Sequence, residues 1–182
     1  MNNHNIHNVK ADGECLFNAV AYGILYLSTK TRVNEKTYKP FARKLRKETV
    51  KKLNNLITRM DIDYIISMCA EYNNNQCTSG FNEMIHRAKL YTKRMSKSCT
   101  WGGEIELQML GPIVHSLGFK GIKVYNAENK KHLMSSPMTS HEKTVLHIVL
   151  SGVRKTGGGG VHFDFWNKPQ KKNSESTNIS KK

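Results

Sequence analysis

The hydrophobic positions change period once along the chain, from helical spacing in the first two thirds to strand-like runs in the last. Leu16, Val20, Ile24 and Leu27 predict a helix over residues 15–28, in which Gly23 lowers helix propensity but permits close packing. Residues 29–36 read as a polar connection. From Pro40, a residue favoured in a first turn, Phe41, Leu45, Leu53, Leu56, Ile57 and Met60 predict a long second helix. Asp61 or Asp63 is placed to cap a short third helix that carries Ile62, Ile65, Ile66 and a core Cys69 and ends at Asn73-Asn74-Asn75. A fourth, near 80–95, sets Phe81, Met84, Ile85, Ala88 and Tyr91 opposite lysines and arginines. Trp101-Gly102-Gly103 interrupts the pattern, and Ile105, Met109, Ile113, Val114 and Leu117 then predict a fifth helix that Gly111-Pro112 should kink or split.

After that the period shortens. Ile122-Lys123-Val124-Tyr125 alternates, while Val145–Leu150 and Val161–Trp166 are short runs of β-forming residues separated by Gly157-Gly158-Gly159-Gly160, a flexible loop. Helices first and strands last, without strict alternation, predict an α+β fold. The expected organisation is a flexible arm over 1–8, one domain over 9–167 and a Ser/Asn/Lys-rich tail over 168–182 that is disordered or a linker.

Composition narrows the function classes. No run of about 18 apolar residues is present, and Met1-Asn2-Asn3-His4-Asn5 lacks the basic and apolar regions of a signal peptide. Cys15, Cys69, Cys77 and Cys99 form no Cys-x-x-Cys pair, so the expectation is a reducing, cytosolic compartment with thiols, no structural zinc, no metal and no cofactor. His4 and His7 are read as solvated residues of the arm. With 29 basic and 14 acidic residues the formal charge is +15, which admits an anionic partner such as nucleic acid; the plainer reading is solvated helix faces.

The candidate chemistry lies at the two ends of the pattern. Cys15 falls in the first turn of the first helix, where backbone N–H groups lack intrahelical partners and the dipole favours a thiolate. On its own such a cysteine is more often an inert core residue. His162 and Asp164, at i and i+2 of the last strand, project from one face, so the carboxylate can orient the imidazole. A thiol beside that imidazole forms a Cys-His-Asp arrangement for nucleophilic attack on a carbonyl carbon, and N–H groups of Gly13, Glu14 and Cys15 are placed to receive the oxyanion.

Three blocks carry a resemblance. Asp12-Gly13-Glu14-Cys15-Leu16-Phe17, Thr100-Trp101-Gly102-Gly103-Glu104-Ile105-Glu106-Leu107-Gln108 and Val161-His162-Phe163-Asp164 resemble, in order, the signature blocks of the ovarian tumour (OTU) family of papain-like cysteine proteases. The resemblance implies a papain-like OTU fold with a small mixed or antiparallel sheet packed between helices. It implies a deubiquitinase that acts through a thioester after the C-terminal Gly-Gly of ubiquitin or polyubiquitin, with Cys15 as nucleophile, His162 as base and acid, and Asp164 as orienter. Asp12 matches a family aspartate that supports the oxyanion loop and sometimes takes over as the histidine's partner. Trp101, Gly102 and Gly103 match a loop that flanks the site and passes a flat diglycine tail, and Trp166 is either a cover for that channel or a core aromatic. The compact domain resembles the proteases that viruses and intracellular bacteria use as effectors in the host cytoplasm. Two alternatives stand beside this reading: a protease for another ubiquitin-like modifier or for its own polyprotein, and an inactive basic nucleic-acid-binding module.

Overall fold

The computed structural model describes residues 6–72, 80–140, 144–151 and 162–168. Expectations for His4, for the helix end at Asn73-Asn74-Asn75, for Cys77, for the Gly157–Gly160 loop, for Val161 and for the tail beyond Lys168 lie outside the described residues. The fold is α+β. Helices α1 (Cys15–Thr29), α2 (Glu35–Thr58), α3 (Ile62–Tyr72), α4 (Phe81–Met95) and α5 (Glu104–His115) precede most of a five-stranded sheet built from β1 (Ile6–His7), β2 (Gly121–Asn126), β3 (His132–Ser135), β4 (Val145–Ser151) and β5 (His162–Trp166). The strand order is β1-β5-β4-β2-β3. Only the β2–β4 ladder among these is parallel, so the sheet is mixed.

α1 is the element around which the rest packs, because its residues Cys15 to Ile24 are all buried. A helix apolar on every side belongs inside a core, and this one lies between α2 on one side and β4 and β5 on another. It lies close against the sheet at Gly23, where a Cβ would lie 2.6 Å from the ring of Phe165 and 3.3 Å from Leu146. Lys30, at φ 57°, ends the helix by returning its N–H to the Tyr26 carbonyl.

α2 starts a turn earlier than the apolar spacing predicts. Asn34 caps it, its side chain accepting from the Thr37 N–H at 3.0 Å, so Pro40 sits inside the helix rather than at its start. α5 is continuous through Gly111-Pro112, which corrects the expected split. Gly111 has a packing reason instead: a Cβ there would meet Pro137 at 2.7 Å. β1 and β3 are strands the pattern does not announce. β3 is a half-exposed edge, and Ile6-His7 joins the sheet opposite Trp166 and Phe165, which places part of the expected arm within the fold. The His7 ring packs on Tyr22, Tyr26 and Phe165 and meets the Tyr22 hydroxyl at 3.0 Å. Cys69 is buried, as its apolar spacing predicts.

Candidate active site

The site forms where the start of α1 meets the start of β5. In β5, Phe163 and Phe165 enter the core while His162, Asp164 and Trp166 share the other face, as strand alternation requires. The antiparallel register with β4 sets His162 beside Ser151 and Asp164 beside Val149. Cys15, His162 and Asp164 are 1%, 3% and 4% exposed, so their interactions are weakly screened.

His162 Nε2 lies 2.8 Å from Asp164 Oδ1, and the same oxygen accepts the Val9 N–H at 2.9 Å. The backbone leaving β1 thus helps to fix the carboxylate. With Nε2 committed to Asp164, Nδ1 is the ring nitrogen left to exchange a proton, and no oxygen or nitrogen among the described residues engages it. The His162 pKa is pushed up to about 9, first by its hydrogen bond to Asp164 and next by one to Cys15, against an opposing effect of burial. Cys15, His162 and Asp164 are therefore brought together.

Asp12 is elsewhere. Its Oδ1 accepts from the Glu14 N–H at 3.2 Å and from Asn18 Nδ2 at 3.1 Å, and its Oδ2 pairs with Lys39 Nζ at 2.9 Å. These contacts, led by Lys39, hold its carboxyl below the usual range despite the opposing and larger single effect of burial. Asp12 braces the turn before α1. It also occupies the Glu14 N–H, which narrows the expected oxyanion donors to Gly13 and Cys15. Gly13 makes the turn possible, at φ +77°, with the Cys99 carbonyl oxygen 2.3 Å from where a Cβ would stand.

Trp101, Gly102 and Gly103 border this turn. Trp101 is 43% exposed, whereas Gly102 lies against α1, where a Cβ would approach Leu16 at 2.9 Å and Phe17 at 3.2 Å. Gly103 begins α5, with its N–H donating to Glu106 Oε2 at 2.8 Å; the other Glu106 oxygen receives the Tyr91 hydroxyl at 2.7 Å. Burial raises the pKa of this wholly enclosed carboxyl, while the two hydrogen bonds act the other way. Trp166 stacks edge-on with Tyr125 at 5.1 Å and with His147 at 6.3 Å, under the ammonium of Lys168. Its recorded ring contacts are thus with the sheet.

One residue that no sequence signal picks out completes the surroundings. Arg46, in the middle of α2, is 4% exposed and reaches the carbonyls of Gly13, Met95, Lys97 and Thr100. Glu14, also buried, faces its Nε at 3.6 Å. In the sequence Arg46 is one of many basic residues on an amphipathic helix; only its position on the apolar stripe, one residue after Leu45, sets it apart. No group of three or more His, Cys, Asp or Glu among the described residues is arranged to hold a metal.

A family model for OTU-like cysteine proteases matches residues 10–163, most of the chain. The chain belongs to this family. It is an OTU-type cysteine protease, and its α+β fold is the OTU fold. Among solved structures, the viral OTU domain protease from Farallon virus aligns with a TM-score of 0.54 at 21% identity, covering 88% of this chain and 81% of that one. An OTU domain solved in complex with ubiquitin aligns at 0.49 and 20% identity, covering 88% and 67%. The Hazara virus OTU bound to ubiquitin aligns at 0.46 and 22%, covering 88% and 78%. No curated protein sequence gives a significant match. None of the helices described is long and apolar enough to cross a membrane.

Proposed function

We propose that this OTU protease is a deubiquitinase that hydrolyses the isopeptide or peptide bond after the C-terminal Gly-Gly of ubiquitin, working in the reducing cytoplasm of a host cell. The observation that carries the reading is the buried His162–Asp164 pair, 2.8 Å apart, with the buried Cys15 at a helix start beside the same ring. The Cys15 thiol gives its proton to His162 Nδ1, and the sulfur attacks the carbonyl carbon of the terminal glycine. Negative charge collects on the carbonyl oxygen, which receives hydrogen bonds from the N–H groups of Cys15 and Gly13. The imidazolium then protonates the leaving amine as the C–N bond breaks, leaving a thioester. Water, deprotonated by His162, attacks the thioester; the C–S bond breaks and the thiol is restored. Asp164 holds the ring and stabilises its charged form throughout.

Ubiquitin as the substrate rests on the three sequence blocks and on the two glycines beside the site. Gly103, with no atom within 4 Å of its missing Cβ, leaves room for a flat diglycine tail, with Trp101 as an exposed wall, while Gly102 lets the loop pack against Leu16. The viral kinship of the fold supports action on host conjugates. The test is reaction with ubiquitin bearing a C-terminal cysteine-reactive group. A single adduct is expected on the wild type and none on Cys15→Ala, with strong slowing for His162→Ala. An unmodified wild type, or an adduct that persists in Cys15→Ala, would remove the assignment.

A further inference from the structure

The peptide plane between Gly13 and Glu14, immediately before the proposed nucleophile, is gripped at both ends. Its carbonyl oxygen accepts from Arg46 Nη2 at 3.3 Å, and its N–H donates to Asp12 Oδ1 at 3.2 Å. Glycine at φ +77° offers little steric resistance to rotation of such a plane, so its orientation depends on what holds it. The same Nη2 donates to the Thr100 carbonyl at 2.7 Å, while Nη1 donates to Met95 O at 3.0 Å and Lys97 O at 3.1 Å. One guanidinium therefore joins the turn before Cys15 to the segment that leads into Trp101-Gly102-Gly103. The two segments also touch directly, at Gly13 and Cys99.

Arg46 is itself immobilised. Its guanidinium lies 4.5 Å from the centre of the Phe17 ring and its Nε faces the buried Glu14 carboxylate at 3.6 Å. A planar fork with five N–H donors suits this set of carbonyls, whereas a lysine ammonium reaches fewer of them and in a different geometry. Anchorage in the middle of a 24-residue helix makes the fork part of the rigid scaffold rather than of either loop.

We propose that Arg46 is a positioning residue for the hydrolysis: it keeps the Gly13 carbonyl on the α2 side of its loop, so that the loop's N–H groups stay aimed at the developing oxyanion, and it ties the diglycine-passing loop to the same frame. The inference rests on Cys15 being the nucleophile. Its consequence is selective, because the two remaining donors, the N–H groups of Gly13 and Cys15, belong to the peptides on either side of this plane and turn with it, whereas proton exchange between Cys15 and His162 does not depend on them.

The experiment compares wild type, Arg46→Lys and Arg46→Met, the last retaining apolar contact with Phe17. Four quantities are read: kcat and KM on a ubiquitin C-terminal amide, inhibition by ubiquitin aldehyde, binding of unmodified ubiquitin, and the pH profile of Cys15 alkylation by iodoacetamide. The aldehyde forms a tetrahedral adduct that needs the oxyanion donors; the last two measurements do not. In Arg46→Met, kcat and aldehyde affinity should each fall about 10–100-fold, with ubiquitin binding and the alkylation profile close to wild type. Arg46→Lys should recover little. Full recovery by lysine would reduce the role to charge, and equal losses in all four readouts would reduce it to folding; either result, or an unchanged kcat, overturns the proposal. Failure of the underlying reading appears separately, as wild-type hydrolysis that does not require Cys15. If both variants fail to fold, amide exchange in the wild type decides: segments 12–15 and 96–102 opening together with α2 supports the tie, and independent opening of either one refutes it.

Discussion

At the scale of single residues, the two aspartates near the proposed nucleophile have separate tasks. Asp164 shares one oxygen between His162 and the Val9 N–H, whereas Asp12 serves Glu14, Asn18 and Lys39. Asp164→Ala is expected to lower kcat by about 10²–10⁴-fold, and Asp12→Ala by clearly less, with about 1 kcal/mol of stability lost from its half-buried ion pair. The reverse ranking in steady-state kinetics would transfer the orienting role to Asp12. The raised His162 pKa has a definite sign: the charged ring is favoured in the folded protein, so its stabilising effect is complete below its ordinary pKa and is lost as pH rises through about 9. The alkaline limb of kcat/KM should therefore lie near pH 9 in the wild type and move toward lower pH in Asp164→Ala, whose removal deletes the largest upward influence on the ring. A limb that stays in place would separate it from this histidine. Gly13→Ala combines a positive φ with a Cβ pressed on the Cys99 carbonyl, and is expected to cost at least about 2 kcal/mol in chemical denaturation.

At the scale of elements, the readable part of the fold is the part with a strong apolar period. α1 and α4 begin and end, and α3 begins, close to where Leu16, Ala88 and Ile65 and their partners place them, because a helix interior repeats the same demand at every turn. Ends and edges repeat nothing. Asn34 moved the start of α2 with one side-chain bond, β3 is a short, half-exposed edge that pairs with β2, and β1 exists because β5 offers it a ladder. Cys15, His162 and Asp164 could be proposed from the sequence because the chemistry proposed for them limits which residue types and spacings serve it. Arg46 was not, since a buried charge that serves backbone carbonyls leaves no spacing rule in the sequence. Gly23 offers an element-level test. An alanine would gain roughly 1 kcal/mol in helix propensity but press on Phe165 and Leu146, a clash worth about 1–3 kcal/mol. A net fall in Tm is expected, and a rise would show that α1 and β5 have room to part.

For the molecule as a whole, the charge of +15 is spread along the chain, with α2 its densest basic stretch, whereas the buried members of the proposed site include Glu14, Glu106 and Asp164. The cationic surface is expected to bind single-stranded RNA weakly and without sequence preference, with affinity falling at least tenfold between about 50 and 200 mM salt. Hydrolysis of the ubiquitin amide should be unaffected when RNA occupies the protein. Salt-resistant or sequence-selective binding in a filter or anisotropy assay would instead revive the nucleic-acid reading, and RNA inhibition would place the cationic surface at the substrate face.

The Val9–Asp164–His162 chain of contacts joins the beginning of the described chain to its end, with the thiol in between. Cys15 and His162 stand 147 positions apart, from 162 minus 15, so a growing polypeptide carries the thiol for about 7–30 s at ordinary ribosomal rates before its base is even synthesised. During that interval β1 has no β5 to pair with, and the turn before α1 lacks the imidazole that draws off its proton. Any cleavage then has to wait for β5, and the chain that emerges before it meets a cysteine that has not yet been armed.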